Sequence, residues 1–277
     1  MQIGLQNLSE YDIGEYAQLT TPQIREVAKT LKGMGRNAGI SEVMREIETD
    51  KGMNVKTKDT LLSALDELRR MGLFGASDYP TLDDLAQLGR LSVLDLSETI
   101  SIKKKQIMVA YIAKKLFNAR RNGIIPPFLL IVEEAHQYVP EKAKQERALS
   151  RGILQTIARE GRKFHACLCL VSQRPVQLST TILSQCNSNI ILRVTNPYDL
   201  QHIGQSSEGI SKDVLDQITG LQVGNALVVG EAVNFPLFIR IRKRRSSISK
   251  KGMPLEDAAR EYFEKVKKKS KDAKSFM

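Results

Sequence analysis

Residues 128–136 read F-L-L-I-V-E-E-A-H: five apolar residues, two adjacent carboxylates, a small residue and a histidine. An unbroken apolar run of that length fits a strand buried in a parallel sheet, where ligands collect at the carboxyl ends of the strands. Glu133 and Glu134 stand at that end. The segment has the form of a Walker B motif, whose first acid holds Mg²⁺ through water and whose second orients and deprotonates the water that attacks a γ-phosphate. The same letters also fit a buried strand entering a helix with an acidic first turn, which the helix dipole favours. Short acidic motifs recur by chance, so the pair alone leaves both readings open.

Three further groups of residues have chemical potential. Ser172, Gln173, Arg174 and Pro175 follow directly on an apolar stretch at 166–171, so Gln173 joins the glutamates at one sheet edge if the two strands are neighbours. A glutamine there can sense a γ-phosphate by hydrogen bonding; it also fits an ordinary turn at a strand end. In A-R-E-G-R-K-F, residues 158–164, Arg159, Arg162 and Lys163 close a helix. The dipole favours cations at that end without any function, while a guanidinium at an edge can also reach a neighbouring subunit's phosphates as an arginine finger. His165, Cys167 and Cys169 alternate, which suggests zinc, but side chains two apart on a strand are about 6.6 Å apart, too wide for one tetrahedral centre, and packing is the better account. His136 reads as a hydrogen-bonding partner of backbone or of an adjacent carboxylate.

The elements that must hold these residues are legible from periodicity and punctuation. Residues 1–88 read as a helical subdomain with no strand pattern. Thr21 and Pro22 open a helix that Gly33 closes, a second helix covers 41–48, and a third covers 57–72 with Leu61, Ala64, Leu65, Leu68 and Met71 as its stripe. Leu73 and Phe74 pack back beyond Gly72. From 89 to 245 helices alternate with strands: a strand at 91–96, a helix at 102–121, the strand at 128, a helix at 144–163, a strand at 166–171, a helix at 178–185 and a strand at 189–194. This alternation predicts a mostly parallel sheet with right-handed crossovers. Short helices at 197–203 and 211–218 precede an edge hairpin of strands 226–229 and 235–241. A basic helix and tail, 246–277, carry Leu255, Ala258, Ala259, Tyr262, Phe263 and Val266 on one face, a stripe that should dock on something.

The net charge of +11 is concentrated at one end. Residues 240–277 hold 14 Lys and Arg against 5 Asp and Glu, a surplus of 9 that leaves +2 for the rest. Such a tail suits contact with nucleic-acid phosphate, and equally a solvated end. Three cysteines are too few for a disulfide framework, the first ten residues are polar, and no apolar run is long enough to span a bilayer. A reducing cytoplasm is the expected compartment.

Taken in order, E-E-A-H-Q-Y-V-P, S-R-G-I-L-Q-T-I-A-R-E-G-R-K-F, L-V-S-Q-R-P and C-N-S-N-I-I-L-R-V-T-N, with the G-N-A-L-V-V-G-E-A hairpin after them, resemble the ATPase core of the HerA family, hexameric translocases of the HerA and FtsK group. The resemblance covers about the last two-thirds of the chain. It implies a RecA-like domain, of the P-loop NTPase type, that binds ATP and Mg²⁺ in a ring around double-stranded DNA held without sequence preference, working in archaea with the nuclease NurA on broken ends. It also implies Glu133 as the magnesium-side acid, Glu134 as the catalytic base, Gln173 as the sensor and Arg159 or Arg162 as the trans finger. The first acid is Glu where many Walker B motifs carry Asp.

One departure is large. No G-x-x-x-x-G-K-[ST] occurs; G-M-G-R-N-A-G at 33–39 has the glycines without the Lys-Ser/Thr and follows a helix. Without that loop nothing cradles β- and γ-phosphates. The family's N-terminal β-barrel has no counterpart either, so the expectation is the C-terminal part of a motor, inactive alone. The alternative is a non-catalytic DNA-binding or assembly module. A DEAH-box helicase fails on S-Q-R-P, which stands where a serine-alanine-threonine motif belongs.

Overall fold

The computed structural model describes residues 1–34, 39–141, 148–206, 210–247 and 254–274, with side chains up to residue 267. G-M-G-R-N-A-G therefore falls largely outside the described residues, as does the expected start of the helix at 144.

The N-terminal part is helical, with strand β1 (Ile3–Gly4), helices α1 (Glu10–Tyr16), α2 (Thr21–Gly33), α3 (Ile40–Thr49) and α4 (Val55–Arg70), strand β2 (Phe74–Gly75) and the single turn α5 (Leu82–Leu85). Local chemistry sets the helix starts. Ser9 and Asp12 form a reciprocal capping box on α1, and Asn54 caps α4 through Lys56 N–H. On α2 the cap is Thr20, one residue earlier than expected; its N–H donates to Gln23 Oε1 at 2.8 Å, and Pro22 lies within the first turn. Gly72, at φ +63°, reverses the chain so that Leu73 is buried. Residues 74–75 then pair in parallel with residues 3–4, a strand pair too short to leave a sequence pattern. These helices close no core alone: Ile107, Tyr111 and Leu116 of α6 (Ile102–Arg121) join their apolar cluster.

Helix α6 carries a second cluster through Ala113 and Phe117, which pack with β3 (Phe128–Val132), α7 (Arg151–Phe164) and β4 (Ala166–Leu170). Strands β3 and β4 run parallel, with Phe128 opposite Ala166 and Val132 opposite Leu170. This satisfies the condition on which Gln173 was expected to join the glutamates.

Elsewhere the sheet differs from the expected form. Residues 91–96 form no strand, and Leu91 and Val93 are 82% and 76% exposed. An apolar run becomes a strand only where a neighbour offers a ladder, and none among the described residues does so there. The expected helix at 178–185 shrinks to α8 (Thr180–Leu183); Glu141, 39 residues away, holds its start, accepting from Thr180 N–H and Oγ1–H. Strand β5 (Ser188–Ile191) does not extend the parallel sheet. It pairs antiparallel with β6 (Asn225–Gly230), which pairs antiparallel with β7 (Leu237–Arg240). The described strands therefore make two parallel pairs and one three-stranded antiparallel sheet instead of a single mostly parallel one.

Helices α9 (Pro197–Ser206) and α10 (Lys212–Thr219) pack on that third sheet through Ile203 and Ile218. The final helix, α11 (Leu255–Lys274), leaves Leu255, Tyr262, Phe263 and Val266 exposed, so its expected docking partner is not within this chain's described residues. No helix among the described residues is long and apolar enough to cross a membrane.

Candidate functional site

The ends of β3 and β4 are tied by backbone. Val171 N–H donates to the Val132 carbonyl and Ala135 N–H to the Val171 carbonyl, both at 2.9 Å. Between those bonds the chain turns at Glu133 and Glu134 into a single 3₁₀ turn, Ala135–Gln137. No regular helix follows with an acidic first turn. Glu134 takes the left-handed conformation, φ 51° and ψ 42°, which a side chain with a β-carbon occupies at a cost of about 1–2 kcal/mol.

That turn brings four side chains together. Gln173 Nε2–H donates to Glu134 Oε1 at 3.0 Å. His136 Nδ1 lies 3.1 Å from Ser172 Oγ and 3.4 Å from Glu134 Oε2. Arg174 N–H donates to Ser172 Oγ at 3.0 Å, fixing the hydroxyl between turn and ring. Glu133 is exposed at the same edge. A hard oxygen donor of this kind suits Mg²⁺, which takes one or two carboxylates and fills its shell with water and substrate phosphate. Among the described residues no group of three or more His, Cys, Asp or Glu forms a ready metal cage. His165 leaves the expected strand face altogether, ending α7 at φ 55°.

The arginines stand apart. Arg159 is exposed on α7, and Arg162 reaches Glu231, 3.8 Å away in the turn after β6, with both side chains largely in solvent. Neither belongs to the Glu134 cluster. Ser172 was not anticipated as a participant; its position directly before Gln173, and the E-x-H spacing of Glu134 and His136, were the available signals.

A second polar feature lies between the N-terminal helices and α6. A cleft of about 490 Å³ is lined by Asp12, Asp78, Tyr111, Lys114 and Lys115 among others. Lys114 pairs with Asp12, Lys115 Nζ is 2.7 Å from Asp78 Oδ2, and Tyr111 O–H donates to the same oxygen at 2.5 Å. Gly4 N–H donates to Asp78 Oδ1 at 2.7 Å. Burial acts to raise both carboxyls, but the hydrogen bonds outweigh it and hold Asp12 and Asp78 below the usual carboxylate value. Burial, followed by Asp78's hydrogen bond and charge, pushes the Tyr111 hydroxyl up. Every charged group in this network already has a partner, so it fastens two parts of the chain together.

No protein-family model matches the chain. It is 30% identical to the DNA double-strand break repair helicase HerA of Saccharolobus solfataricus over 217 residues, covering 74% of this chain and 42% of that protein. It is 30% identical over 227 residues to the HerA of Sulfolobus acidocaldarius, covering 77% and 44%. Over 115 residues it is 47% identical to the HerA of Pyrococcus furiosus, covering 42% and 20%. The chain thus spans less than half the length of each of these relatives. Among solved structures, VirB4 of Thermoanaerobacter pseudethanolicus superposes with a TM-score of 0.63 at 14% identity, covering 85% of this chain and 68% of that one. The α/β fold is therefore shared with VirB4.

Proposed function

We propose that this chain, which belongs to the HerA family, forms the acid-bearing part of a RecA-like ATPase core in an ATP-driven translocase of double-stranded DNA. The observation that carries the reading is the hydrogen bond from Gln173 to Glu134 across the ends of two paired parallel strands. A residue that reads a γ-phosphate and a residue that activates water must lie beside each other, since both act on one phosphorus centre.

In this reading Glu134 accepts the proton of the attacking water, and its Oε atoms lie at the sheet edge where that water would stand. Glu133 would be the residue that holds Mg²⁺, and the chemistry that ion would supply is neutralisation of charge on the phosphates. Gln173 donates toward the γ-phosphate with the amide proton not used on Glu134. Arg159 or Arg162, exposed on α7, reaches a neighbouring subunit's nucleotide. The phosphates themselves are cradled by a phosphate loop outside these 277 residues. By family, the whole motor is a hexameric ring that tracks DNA backbone without sequence preference and acts with a NurA-type nuclease on broken ends.

Mg·ATP calorimetry tests the reading, first on the chain alone and then on the chain mixed with a HerA-type segment that carries the phosphate loop. Nucleotide heat only in the mixture, with tighter retention of ATP by Glu134→Gln, supports it. A mixture that hydrolyses ATP equally well with Glu134→Gln removes it.

A second reading rests on the exposed run Arg242, Lys243, Arg244 and Arg245 after β7. Four adjacent cations in solvent suit a non-catalytic module that binds nucleic-acid phosphate. That module would hold DNA with an affinity that falls steeply with salt and ignores Glu134.

A further inference from the structure

We infer that His136 is a positioning residue for Glu134, holding one carboxylate oxygen through Nδ1–H while Ser172 anchors the ring. The inference rests on the reading of Glu134 as the base and adds the device that aims it.

The argument is one of donors and acceptors. An ionised carboxylate only accepts hydrogen bonds. His136 Nδ1, at 3.4 Å from Glu134 Oε2, therefore attracts that oxygen only if Nδ1 carries the proton. In that tautomer Ser172 Oγ, at 3.1 Å, is a second acceptor for the same proton. Its own position is set by the Arg174 N–H that donates to it. With the proton on Nδ1 the ring is held between the serine oxygen and the carboxylate. It is also protected: the His136 side chain is 12% exposed, against 41% for Glu134.

On the other side, Gln173 Nε2–H holds Glu134 Oε1 at 3.0 Å. Oε1 thus has one donor from the protein, while Oε2 lies 3.4 Å from Nδ1. A long side chain on an exposed turn would otherwise sample several rotamers. The longer contact, on Oε2, is of the kind that tightens once substrate is bound. If His136 merely packed beneath the turn, the position of its N–H would not matter.

The distinction can be made on the full chain without nucleotide. The Gln173 side-chain amide, assigned in a ¹⁵N-labelled sample by its loss in Gln173→Leu, reports the carboxylate it is bonded to. His136→Ala is expected to move that resonance toward its position in Glu134→Gln. His136→Asn, whose amide can present an N–H where Nδ1 stood, is expected to leave it near wild type. Ser172→Ala is expected to shift it in the same direction as His136→Ala and less far. This variant keeps the imidazole while removing its anchor, and guards against a His136→Ala chain that fails to fold. A Gln173 resonance indifferent to both His136→Ala and Ser172→Ala overturns the proposal, as does one moved as far by His136→Asn as by His136→Ala.

In the motor assembled with a phosphate loop, kcat should fall roughly 10- to 100-fold in His136→Ala with KM for ATP nearly unchanged, and return in His136→Asn. An unchanged kcat in His136→Ala also overturns the proposal. Hydrolysis untouched by Glu134→Gln would instead remove the base reading, whatever the resonance does, so the two failures are separable.

Discussion

Gly161 of α7 lies against the carbonyl of Ala166 so closely that a β-carbon on the glycine would stand 2.2 Å from that oxygen. The contact is backbone on backbone, at the point where the helix hands the chain to β4. It sets how near α7 packs to the strand that carries Gln173. Gly161→Ala should therefore destabilise the chain by roughly 2–3 kcal/mol, as overpacking that only a backbone shift can relieve. Urea unfolding measures this, and an unchanged midpoint would refute the contact.

At Glu134 the same comparison of glycine and alanine should again favour glycine, for a different reason. The left-handed backbone there penalises any β-carbon, and both substitutions remove the carboxylate. Glu134→Gly should be more stable than Glu134→Ala by about 1 kcal/mol, while both should abolish hydrolysis in the assembled motor if Glu134 is the base. Equal stabilities would mean that the turn relaxes out of this conformation in solution.

Asp78 joins Gly4, Tyr111 and Lys115, so its carboxylate fastens the N-terminal strand to α6. Asp78→Asn leaves the ammonium without its counter-charge and should cost about 2–3 kcal/mol at neutral pH. Acid should act in the same direction. Both Asp12 and Asp78 sit below the ordinary value of 3.8 in the folded chain. The stability they contribute is complete above that value and drains away as pH falls through their folded values. Denaturation midpoints should thus fall more steeply below about pH 4 in wild type than in Asp78→Asn; parallel curves would argue against the network.

Arg162 offers a separation of stability from activity. Its pair with Glu231 is long and solvated, worth at most about 1 kcal/mol. Arg162→Ala should fold as well as wild type to within roughly 0.5 kcal/mol. If this arginine is the finger, the assembled variant loses hydrolysis. Mixing Arg162→Ala with Glu134→Gln subunits then restores part of it, because some interfaces pair an intact base with an intact arginine. Full activity in Arg162→Ala would hand the role to Arg159.

Much of the site was readable before the structure, for physical reasons that differ by residue. Phe128–Val132 and Ala166–Leu170 announce themselves as strands because a continuous apolar run of five has few other homes. Once they pair, Gln173 must fall beside Glu134. What stayed hidden depends on partners remote in sequence. Glu141 holds the start of α8 from 39 residues upstream. Strand β5 takes β6 for its neighbour, which no alternation of helices and strands can foretell. The left-handed turn at Glu134 is hidden for another reason, since glutamate carries no propensity for it and tertiary bonds on both sides impose it.

The bare segment at 91–96 has a consequence for handling the molecule. Six residues with four apolar side chains, no proline and a single charge, open along most of their length, resemble the templates on which cross-β assembly starts. Association through this segment would make the working life of a sample fall with concentration. A solubilising change at Leu91 or Val93, both far from the Glu134 cluster in sequence, lengthens it without touching the chemistry.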